Sequence, residues 1–119
     1  MNKRKIGADY EEIAAGYLES KGYRILERNY RCRYGEVDII AVRDGMLVIV
    51  EVKYRSSTGC GEPAEAVDVR KQRRICRVTM DYLMRHQYFY GKPCRFDVIS
   101  ICGDNHPEHM ENVFCFHGS

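Results

Sequence analysis

The sequence predicts an α/β domain in which a mixed central β-sheet is flanked by α-helices. Two strongly apolar segments, at 37–42 and 46–53, are separated by Asp44-Gly45, which is a strong signal for a tight hairpin. On either side of them lie segments with apolar residues three and four apart, which is typical of amphipathic helices. Because 119 residues is the usual size of one domain, residues 1–119 are predicted to form a single domain.

The first predicted helix runs from about Lys5 to Lys21, and Gly22 is a natural stop for it. A strand is predicted next, at 23–30. The two strands of the hairpin follow, and their apolar content indicates that both of their faces are covered. The apolar positions of the helix share one face: Ile6, Tyr10, Ile13, Ala14, Tyr17 and Leu18.

The second half of the chain is predicted to form a loop, a helix and two more strands. Ser and Gly are frequent at 56–63, so this segment is predicted to be a loop, and Pro63 is placed to open a helix. That helix is predicted from about Glu65 to Arg85. The last strands are predicted at 94–101 and at 113–116.

The composition is that of an ordinary globular protein. Hydrophobic residues make up 45% of the chain and charged residues 30%, which argues against a disordered protein. No apolar run approaches the roughly 20 residues of a membrane span, and the basic start leads into no signal-peptide core. We therefore expect a cytoplasmic protein with no membrane partner. The six cysteines include no Cys-x-x-Cys pair and are expected to be reduced and mostly structural.

The two-residue turn fixes the register of the hairpin. Pairing Arg43 with Met46 places Asp38 opposite Glu51, and opposite residues point to the same face. The two carboxylates would have Cβ atoms roughly 5 Å apart, which is unfavourable unless a cation lies between them. Mg²⁺ or Mn²⁺ prefers such oxygen ligands and completes its coordination with waters and substrate phosphate. The pair therefore predicts a divalent-metal site.

Lys53 lies two residues beyond Glu51 and so shares its face of the strand. A bound metal would polarise a phosphate and lower the pKa of a water, while Lys53 would orient that water or neutralise developing charge. These residues suit the hydrolysis of a phosphodiester. The alternative is a solvated strand end with one contact between Glu51 and Lys53.

Two helical residues are candidates to join this site. Glu11 lies at the margin of the apolar stripe of the first helix, where it either looks toward the sheet or is an exposed acid favoured by the helix dipole. Lys71 shares its helical line with Ile75, Val78 and Tyr82. Its ammonium either reaches phosphate near the site or covers the edge of the core.

Basic residues are clustered, although the formal net charge is only +2. One cluster precedes the hairpin, and the second occupies the solvent side of the second helix, away from Lys71. Such faces are either merely soluble or bind phosphate. The first cluster contains Arg24, Arg28, Arg31 and Arg33, and the second contains Arg70, Arg73, Arg74 and Arg77.

Two further patterns have structural interpretations. Arg95 and Asp97 are predicted to form a structural ion pair. The segment His106-Pro107-Glu108-His109 is predicted to be a polar loop rather than a metal site, because no third ligand stands out.

Several segments match a known family in the same order. The most specific are Gly35-Glu36-Val37-Asp38-Ile39-Ile40-Ala41 and Val50-Glu51-Val52-Lys53-Tyr54-Arg55. The others are Gly7-x-x-x-Glu11-x-x-Ala14-x-x-Tyr17-Leu18, Lys21-Gly22-Tyr23, Arg28-Asn29-Tyr30-Arg31, Pro63-Ala64-Glu65-Ala66-Val67, Lys71-Gln72-Arg73-Arg74 and Arg95-Phe96-Asp97-Val98. With these segments the chain resembles the bacterial YraN-like family. The fold of that family belongs with the PD-(D/E)XK, or restriction-endonuclease-like, nucleases and is similar to archaeal Holliday-junction resolvases. One departure is Tyr10, where a glycine commonly precedes the glutamate.

The resemblance implies a role for individual residues. Asp38 and Glu51 correspond to metal ligands, and Val52 is the third predicted ligand. Lys53 corresponds to the catalytic lysine, and Glu11 to the helix-borne acid of resolvase-like enzymes. The residues predicted to contact nucleic acid are Arg31, Arg55, Lys71, Arg73 and Arg74.

The predicted function is the hydrolysis of phosphodiester bonds in DNA, branched DNA included, with Mg²⁺ or Mn²⁺ as cofactor. The alternative is a nucleic-acid-binding module that keeps a nuclease fold with little or no turnover. A third class is an interaction protein with an unused nuclease fold. A homodimer is also expected, because cutting two strands symmetrically is easier for a twofold assembly.

Overall fold

The computed structural model describes residues 3–55, 68–103 and 105–114, with side chains from residue 10 onward. These residues form two α-helices, five β-strands and one short 3₁₀ helix. In chain order they are α1 (Lys3–Ser20), β1 (Arg24–Cys32), β2 (Gly35–Arg43), β3 (Met46–Tyr54), α2 (Val69–Arg85), the 3₁₀ helix (Gln87–Phe89), β4 (Cys94–Ile101) and β5 (Pro107–Phe114). None of the helices described is long and apolar enough to cross a membrane.

The strands form one mixed sheet in the order β1-β2-β3-β4-β5. Neighbouring strands are antiparallel except β3 and β4, which are parallel. Antiparallel neighbours need only a short turn, whereas the parallel pair needs a crossover, and α2 lies in that crossover. The predicted α/β class, with a mixed sheet flanked by helices, is confirmed and agrees with a restriction-endonuclease-like fold.

α1 covers one face of the sheet. Its residues Ala14, Ala15 and Leu18 are buried against a cluster that includes Ile39 and Val50. The helix ends near the predicted position, where Gly22 takes a positive φ of 90°. This left-handed conformation lets the next N–H reach back to a carbonyl of the last helical turn, which is how many helices end.

α2 covers the opposite face, where Ile75, Val78 and Tyr82 pack in a second cluster. The predicted start near Glu65 is wrong, because Asp68 has extended backbone and caps the helix by accepting a hydrogen bond from the Lys71 N–H at 2.8 Å. The segment from Ser56 to Val67, with the predicted loop and the helix-opening Pro63, lies outside the described residues.

β5 begins six residues before the predicted strand at 113–116, of which residues 115 and 116 lie outside the described part of the chain. The prediction of a polar loop at 106–109 is therefore wrong from Pro107 onward. A proline fits as the first residue of an edge strand, where its missing N–H breaks no ladder. His109 pairs with Ile99, and Met110 pairs with Val98, so polar composition hid a paired strand.

The reason for this strand is visible at Asp97, a buried aspartate in β4. Its carboxylate receives hydrogen bonds from Arg95 at 2.8 and 2.9 Å and from the backbone N–H of Asn112 at 3.0 Å. The His109 Nε2 atom lies 2.7 Å from the same carboxylate. Four donors thus compensate one buried charge. The predicted ion pair of Arg95 and Asp97 is confirmed, with His109 as an additional member.

The expectation of reduced cysteines holds in part. Cys32, Cys76 and Cys94 form no disulfide. Cys102 is disulfide-bonded, so the expectation is wrong at this position. Disulfides join cysteines that are near in space, so the absence of a Cys-x-x-Cys pair did not exclude a disulfide.

Candidate active site

The candidate site begins where the β2–β3 ladder stops. Asp44 and Gly45 both have positive φ, at 51° and 78°, as a two-residue hairpin turn of the favoured twist requires. The predicted pairing of Arg43 with Met46 is confirmed, and the ladder continues to Ile39 opposite Val50.

Beyond that pair, a hydrogen bond to a side chain takes the place of the backbone hydrogen bonds of the ladder. The Asp38 carboxylate accepts a hydrogen bond from the Val52 N–H at 2.8 Å. Asp38 and Glu51 are therefore adjacent, as the register predicted, and a carboxylate takes the place of a backbone carbonyl between the strands. This bond fixes the Asp38 carboxylate at the opening between β2 and β3.

The two acids oppose each other electrostatically. Burial, a hydrogen bond with Asp38 and the charge of Asp38 raise the pKa of Glu51 to about 8, while the charges of Lys71 and Arg74 act in the opposite direction. The pair therefore keeps one proton at neutral pH in the absence of a cation. A divalent cation would relieve the same repulsion by replacing that proton.

The donor set fits Mg²⁺ or Mn²⁺ and does not form a complete protein cage. No group of three or more His, Cys, Asp or Glu side chains suited to a metal exists within the described residues. Mg²⁺ commonly takes one or two carboxylates and fills its remaining positions with water and phosphate. Asp38 and Glu51 are such a pair. The role of Val52 as third ligand stays a prediction, and its observed contact is the N–H bond to Asp38.

Glu11 lies near Asp38. It is half-buried on α1. Burial, and then the charge of Asp38, raise the pKa of Glu11 above its usual range, although a hydrogen bond from Asn29 opposes this shift. With its side-chain amide oriented to donate, Asn29 places its nitrogen 2.6 Å from Glu11 Oε1. The first of the two interpretations of Glu11, an acid that looks toward the sheet, agrees with this position.

Asn29 is a site residue that the sequence analysis did not single out. Its φ of 53° is in the left-handed region, in the middle of β1. The pairs on either side of it are Arg28 with Ile39 and Tyr30 with Val37, so Asn29 comes opposite Asp38. Asparagine tolerates this conformation better than most residues. The sequence did carry a signal for it, namely an asparagine inside a predicted strand whose apolar residues alternate.

Lys53 shares its face of β3 with Glu51 and is half-buried. Within the described residues its ammonium makes no hydrogen bond or ion pair, so the alternative of a contact with Glu51 is wrong. Its partner in β4 is Ser100, whose buried Oγ has no hydrogen-bond partner in this part of the chain. Parallel partners point to the same face, so a second polar group accompanies Lys53. Ser100 was not predicted as a site residue because it lies in an apolar run.

Tyr10 and Tyr54 stack on each other beside the acids. Their ring centroids are 4.7 Å apart and their planes differ by 13°. Tyr10 directly precedes Glu11, and Tyr54 directly follows Lys53. The stack therefore ties α1 to the end of β3 at the point where both contribute a site residue, which gives a structural reason for the departure at Tyr10.

Two cations of α2 act on Glu51. Lys71 is half-buried, and both it and Arg74 lower the pKa of Glu51. The prediction that Arg74 lies away from Lys71 is therefore wrong. A Cβ at Gly35 would lie 3.0 Å from Cδ of Arg74, so the arginine stem crosses the backbone at a glycine. The missing side chain of Gly35 lets Arg74 pass over the β1–β2 hairpin.

Arg73 and Arg74 also belong to a groove of about 490 Å³, which we call the arginine groove. Four of its six residues are arginines, and within the described residues none of the four forms an ion pair. The residues that line it are Tyr34, Val69, Arg70, Arg73, Arg74 and Arg77.

The other two predicted nucleic-acid contacts lie elsewhere. Arg31 is exposed and donates twice to Glu36, at 2.7 and 2.9 Å, and it lines a second cavity of about 460 Å³. Arg55 follows β3 and donates its backbone N–H to the carbonyl of Ile101 at 2.9 Å. The structure thus gathers Lys71, Arg73 and Arg74 on one helix and leaves Arg31 and Arg55 outside the groove.

Most of the chain matches one known protein family. Residues 10–101 match the family described as "Uncharacterised protein family UPF0102". The chain belongs to the UPF0102 family. The resemblance to YraN-like proteins is thereby confirmed, and the matched region spans every candidate site residue from Glu11 to Ser100.

Curated UPF0102 proteins match over most or all of their length. The protein of Lachnoclostridium phytofermentans is 45% identical over 119 residues, covering 100% of both chains. The Persephonella marina protein is 47% identical and 91% of each chain is covered. The Alkaliphilus oremlandii protein is 48% identical, with 96% of this chain and 100% of the relative covered. Each carries the name "UPF0102 protein".

A solved structure is similar at a much lower level. It is described as "The structure of Pyrococcus Furiosus SfsA in complex with Ca2+" and shares 16% identity and a TM-score of 0.36. The match covers 92% of this UPF0102 chain and 64% of that chain.

Proposed function

We propose that this UPF0102 protein is a cytoplasmic, divalent-metal-dependent nuclease that hydrolyses phosphodiester bonds in DNA, branched DNA included. The observation that carries the proposal is the adjacent pair Asp38 and Glu51 at the end of the β2–β3 ladder, where burial and Asp38 raise the pKa of Glu51 to about 8. Two acids forced together are costly to a fold unless they serve a ligand, and Lys53 beside them forms no ion pair with any residue that the structure describes.

The residues of the chain have separate tasks in this proposal. Asp38 and Glu51 would hold Mg²⁺ or Mn²⁺, with Val52 as a further ligand. When bound, the metal supplies Lewis acidity toward the phosphate and lowers the pKa of a coordinated water. The Lys53 ammonium would donate to the attacking water or to a phosphate oxygen, where it neutralises developing charge.

The surrounding residues would position substrate and acids. Lys71 and Arg74 place positive charge beside Glu51, where a phosphate would arrive. Glu11 would remain oriented by the amide of Asn29. These residues act by binding and orientation, and the proposed reaction requires no covalent enzyme intermediate.

A second candidate function is a nucleic-acid-binding module without turnover. The observation that favours it is the arginine groove, whose four arginines lack ion pairs within the described residues. Unpaired positive charge attracts a phosphate backbone whether or not the backbone is cut. The two candidates differ in what happens at Asp38.

The test is cleavage by wild-type protein and by Asp38→Asn. Labelled linear, flapped and four-way DNA would be incubated with Mg²⁺, Mn²⁺ or EDTA. We expect metal-dependent cleavage that falls at least ~100-fold in Asp38→Asn, because loss of electrostatic stabilisation at a reacting centre typically costs a few kcal/mol. In EDTA the variant should bind DNA more tightly, because an uncompensated carboxylate repels phosphate.

Asp44→Asn is the matched control, since it removes an exposed carboxylate from a turn in which asparagine is equally favourable. It should cleave as wild type does. Undiminished cleavage by Asp38→Asn would contradict the nuclease proposal, and tighter binding without cleavage by either protein would support the binding module.

The proposal includes a homodimer, because two active sites related by a twofold axis can cut two strands symmetrically. Sedimentation equilibrium with and without four-way DNA measures this directly. A monomer in both conditions would remove the dimer from the proposal and leave the hydrolytic site in place.

A further inference from the structure

Tyr34 stands at the tip of the β1–β2 hairpin, between two basic cavities. It is 38% exposed and lines both the arginine groove and the second cavity. The guanidinium of Arg33 lies 4.8 Å from the centre of its ring and donates a hydrogen bond to its hydroxyl at 2.7 Å. A large exposed aromatic ring is therefore held in a defined position.

Tyr34 borders two cavities that differ in their other residues. Arg33 lines the second cavity and does not line the arginine groove. Among the described residues that line the arginine groove, Tyr34 is the one aromatic residue, and it is 38% exposed. A flat ligand that enters the groove would therefore meet this ring.

The facing wall of the arginine groove carries concentrated positive charge. Arg70, Arg73 and Arg77 are exposed on α2, and none of them has an acidic partner within the described residues. By contrast, in the second cavity Arg31 pairs with Glu36 and Arg85 pairs with Asp81. Crowded like charges repel one another, and an anion with several negative groups relieves that repulsion.

A ligand that satisfies both walls needs a flat aromatic part and regularly spaced negative charges. A nucleic-acid strand has both, because bases stack on tyrosine and phosphates bind arginine. In a continuous duplex the faces of the bases are covered by their neighbours, so the base on Tyr34 must be unpaired or displaced from its stack. The groove volume of about 490 Å³ is within the range of sites that hold small organic groups.

We propose that the arginine groove binds a nucleic-acid strand with an unpaired base, which stacks on Tyr34 while Arg70, Arg73 and Arg77 contact the flanking phosphates. This inference rests on the proposed function and specifies its substrate as a strand with single-stranded character. Arg74 both lines the groove and acts on Glu51. A strand held in the groove is thus led toward the paired acids.

The test uses binding in EDTA, so that it does not depend on cleavage. Fluorescence anisotropy would compare a labelled single-stranded oligonucleotide, in DNA and RNA forms, with a duplex of the same sequence. We expect Tyr34→Ala to weaken binding of the single strand roughly tenfold, since one stacked base contributes on that scale. Duplex binding should change less than twofold, and Tyr34→Trp should restore the single-strand affinity.

A second measurement reports stacking itself. An oligonucleotide containing 2-aminopurine should lose fluorescence when wild-type protein binds, and the loss should be absent with Tyr34→Leu, which keeps apolar bulk without a flat ring. Tyr90→Ala is the matched control, because Tyr90 is 55% exposed and lines neither cavity. Thermal unfolding of each variant confirms that it is folded.

The outcomes separate this inference from the proposed function. Equal losses for single strand and duplex, unchanged 2-aminopurine fluorescence, or no binding by wild type would each overturn the stacking site. Stacking on Tyr34 without metal-dependent cleavage would support the groove and refute the nuclease. Metal-dependent cleavage that is unchanged by substitution of Tyr34 would support the nuclease and refute the stacking site.

Discussion

Glu51 is an acid whose burial makes the metal-free protein sensitive to alkaline pH. Its pKa is about 8 in the folded protein and 4.5 in a free chain, so the folded state binds more protons between these values. The free energy of unfolding therefore falls as pH rises from about 4.5 through 8. A divalent cation held by the acids would offset this loss.

Glu51→Gln should remove this pH dependence. At pH 8 without metal we expect the variant to be more stable than wild type by at least about 1 kcal/mol, because no buried charge then faces Asp38. Added Mg²⁺ or Mn²⁺ should raise the melting temperature of wild type and have little effect on the variant. Calorimetric scans from pH 5 to 8, with exposed Glu19→Gln as control, measure both effects. A wild-type curve that is flat over this range would contradict the interpretation.

Asn29 contributes to the site in two ways, through its backbone conformation and through its side-chain amide. Two substitutions separate these contributions. Asn29→Gly keeps the positive φ and removes the amide that orients Glu11. It should leave stability within about 0.5 kcal/mol of wild type and reduce cleavage about tenfold, because Glu11 loses its orientation.

Asn29→Ala should behave differently. It loses the same amide and also strains the backbone, so it should cost about 1–2 kcal/mol of stability in addition. Asn105→Gly is the control, since Asn105 also has a positive φ, of 65°, and lies in an exposed turn. Full activity in Asn29→Gly would show that the amide has no positioning role.

At the scale of elements, the β4–β5 pair is joined by the charge of Asp97. Burial alone would raise the pKa of this carboxyl, but hydrogen bonds from His109, Arg95 and the Asn112 N–H outweigh it and hold the pKa below its usual value. The stabilisation is therefore present above about pH 4 and is lost as pH falls further.

Asp97→Asn should destabilise the protein by about 3 kcal/mol at pH 7, because it removes the buried negative charge that Arg95 and His109 face and replaces one carboxylate oxygen with an amide nitrogen that cannot accept. Urea denaturation at pH 7 and pH 3 measures this. The difference between wild type and variant should shrink at the lower pH, where wild-type Asp97 begins to take up a proton. A variant within 0.5 kcal/mol of wild type at pH 7 would mean that the strand pairing does not depend on this charge.

The elements that were predictable are those in which local chemistry and burial agree. The hairpin turn fixed the register of β2 and β3, and with it the meeting of Asp38 and Glu51. The last strand was predicted at 113–116, but its first six residues were missed because they are mostly polar and because Asp97, which binds His109 and Asn112, is distant in the chain. The predicted start of α2 was wrong because the spacing of apolar residues does not show where a helix is capped, here at Asp68.

At the scale of the whole molecule, α2 presents the arginine groove as a local concentration of positive charge. The double variant Arg73→Glu and Arg74→Glu should weaken DNA binding and reduce the slope of log affinity against log salt by about 2, because each lost phosphate contact removes about one counterion. Titrations between 50 and 200 mM salt measure the slope. Arg24→Glu is the control, because this exposed arginine lines neither cavity. An unchanged slope would exclude both helix residues from the binding face.

The parallel pairing of β3 and β4 bears on how the chain folds. The β2–β3 hairpin closes over two residues, and hairpins form in about 1–10 μs. Pairing of β3 with β4 must wait for a far longer loop, the one that carries α2. We therefore expect the two acids to meet before the cations of α2 reach them. Folding would then be slowed by repulsion at alkaline pH and accelerated by Mg²⁺, and stopped-flow refolding between pH 6 and 9 tests this order of events.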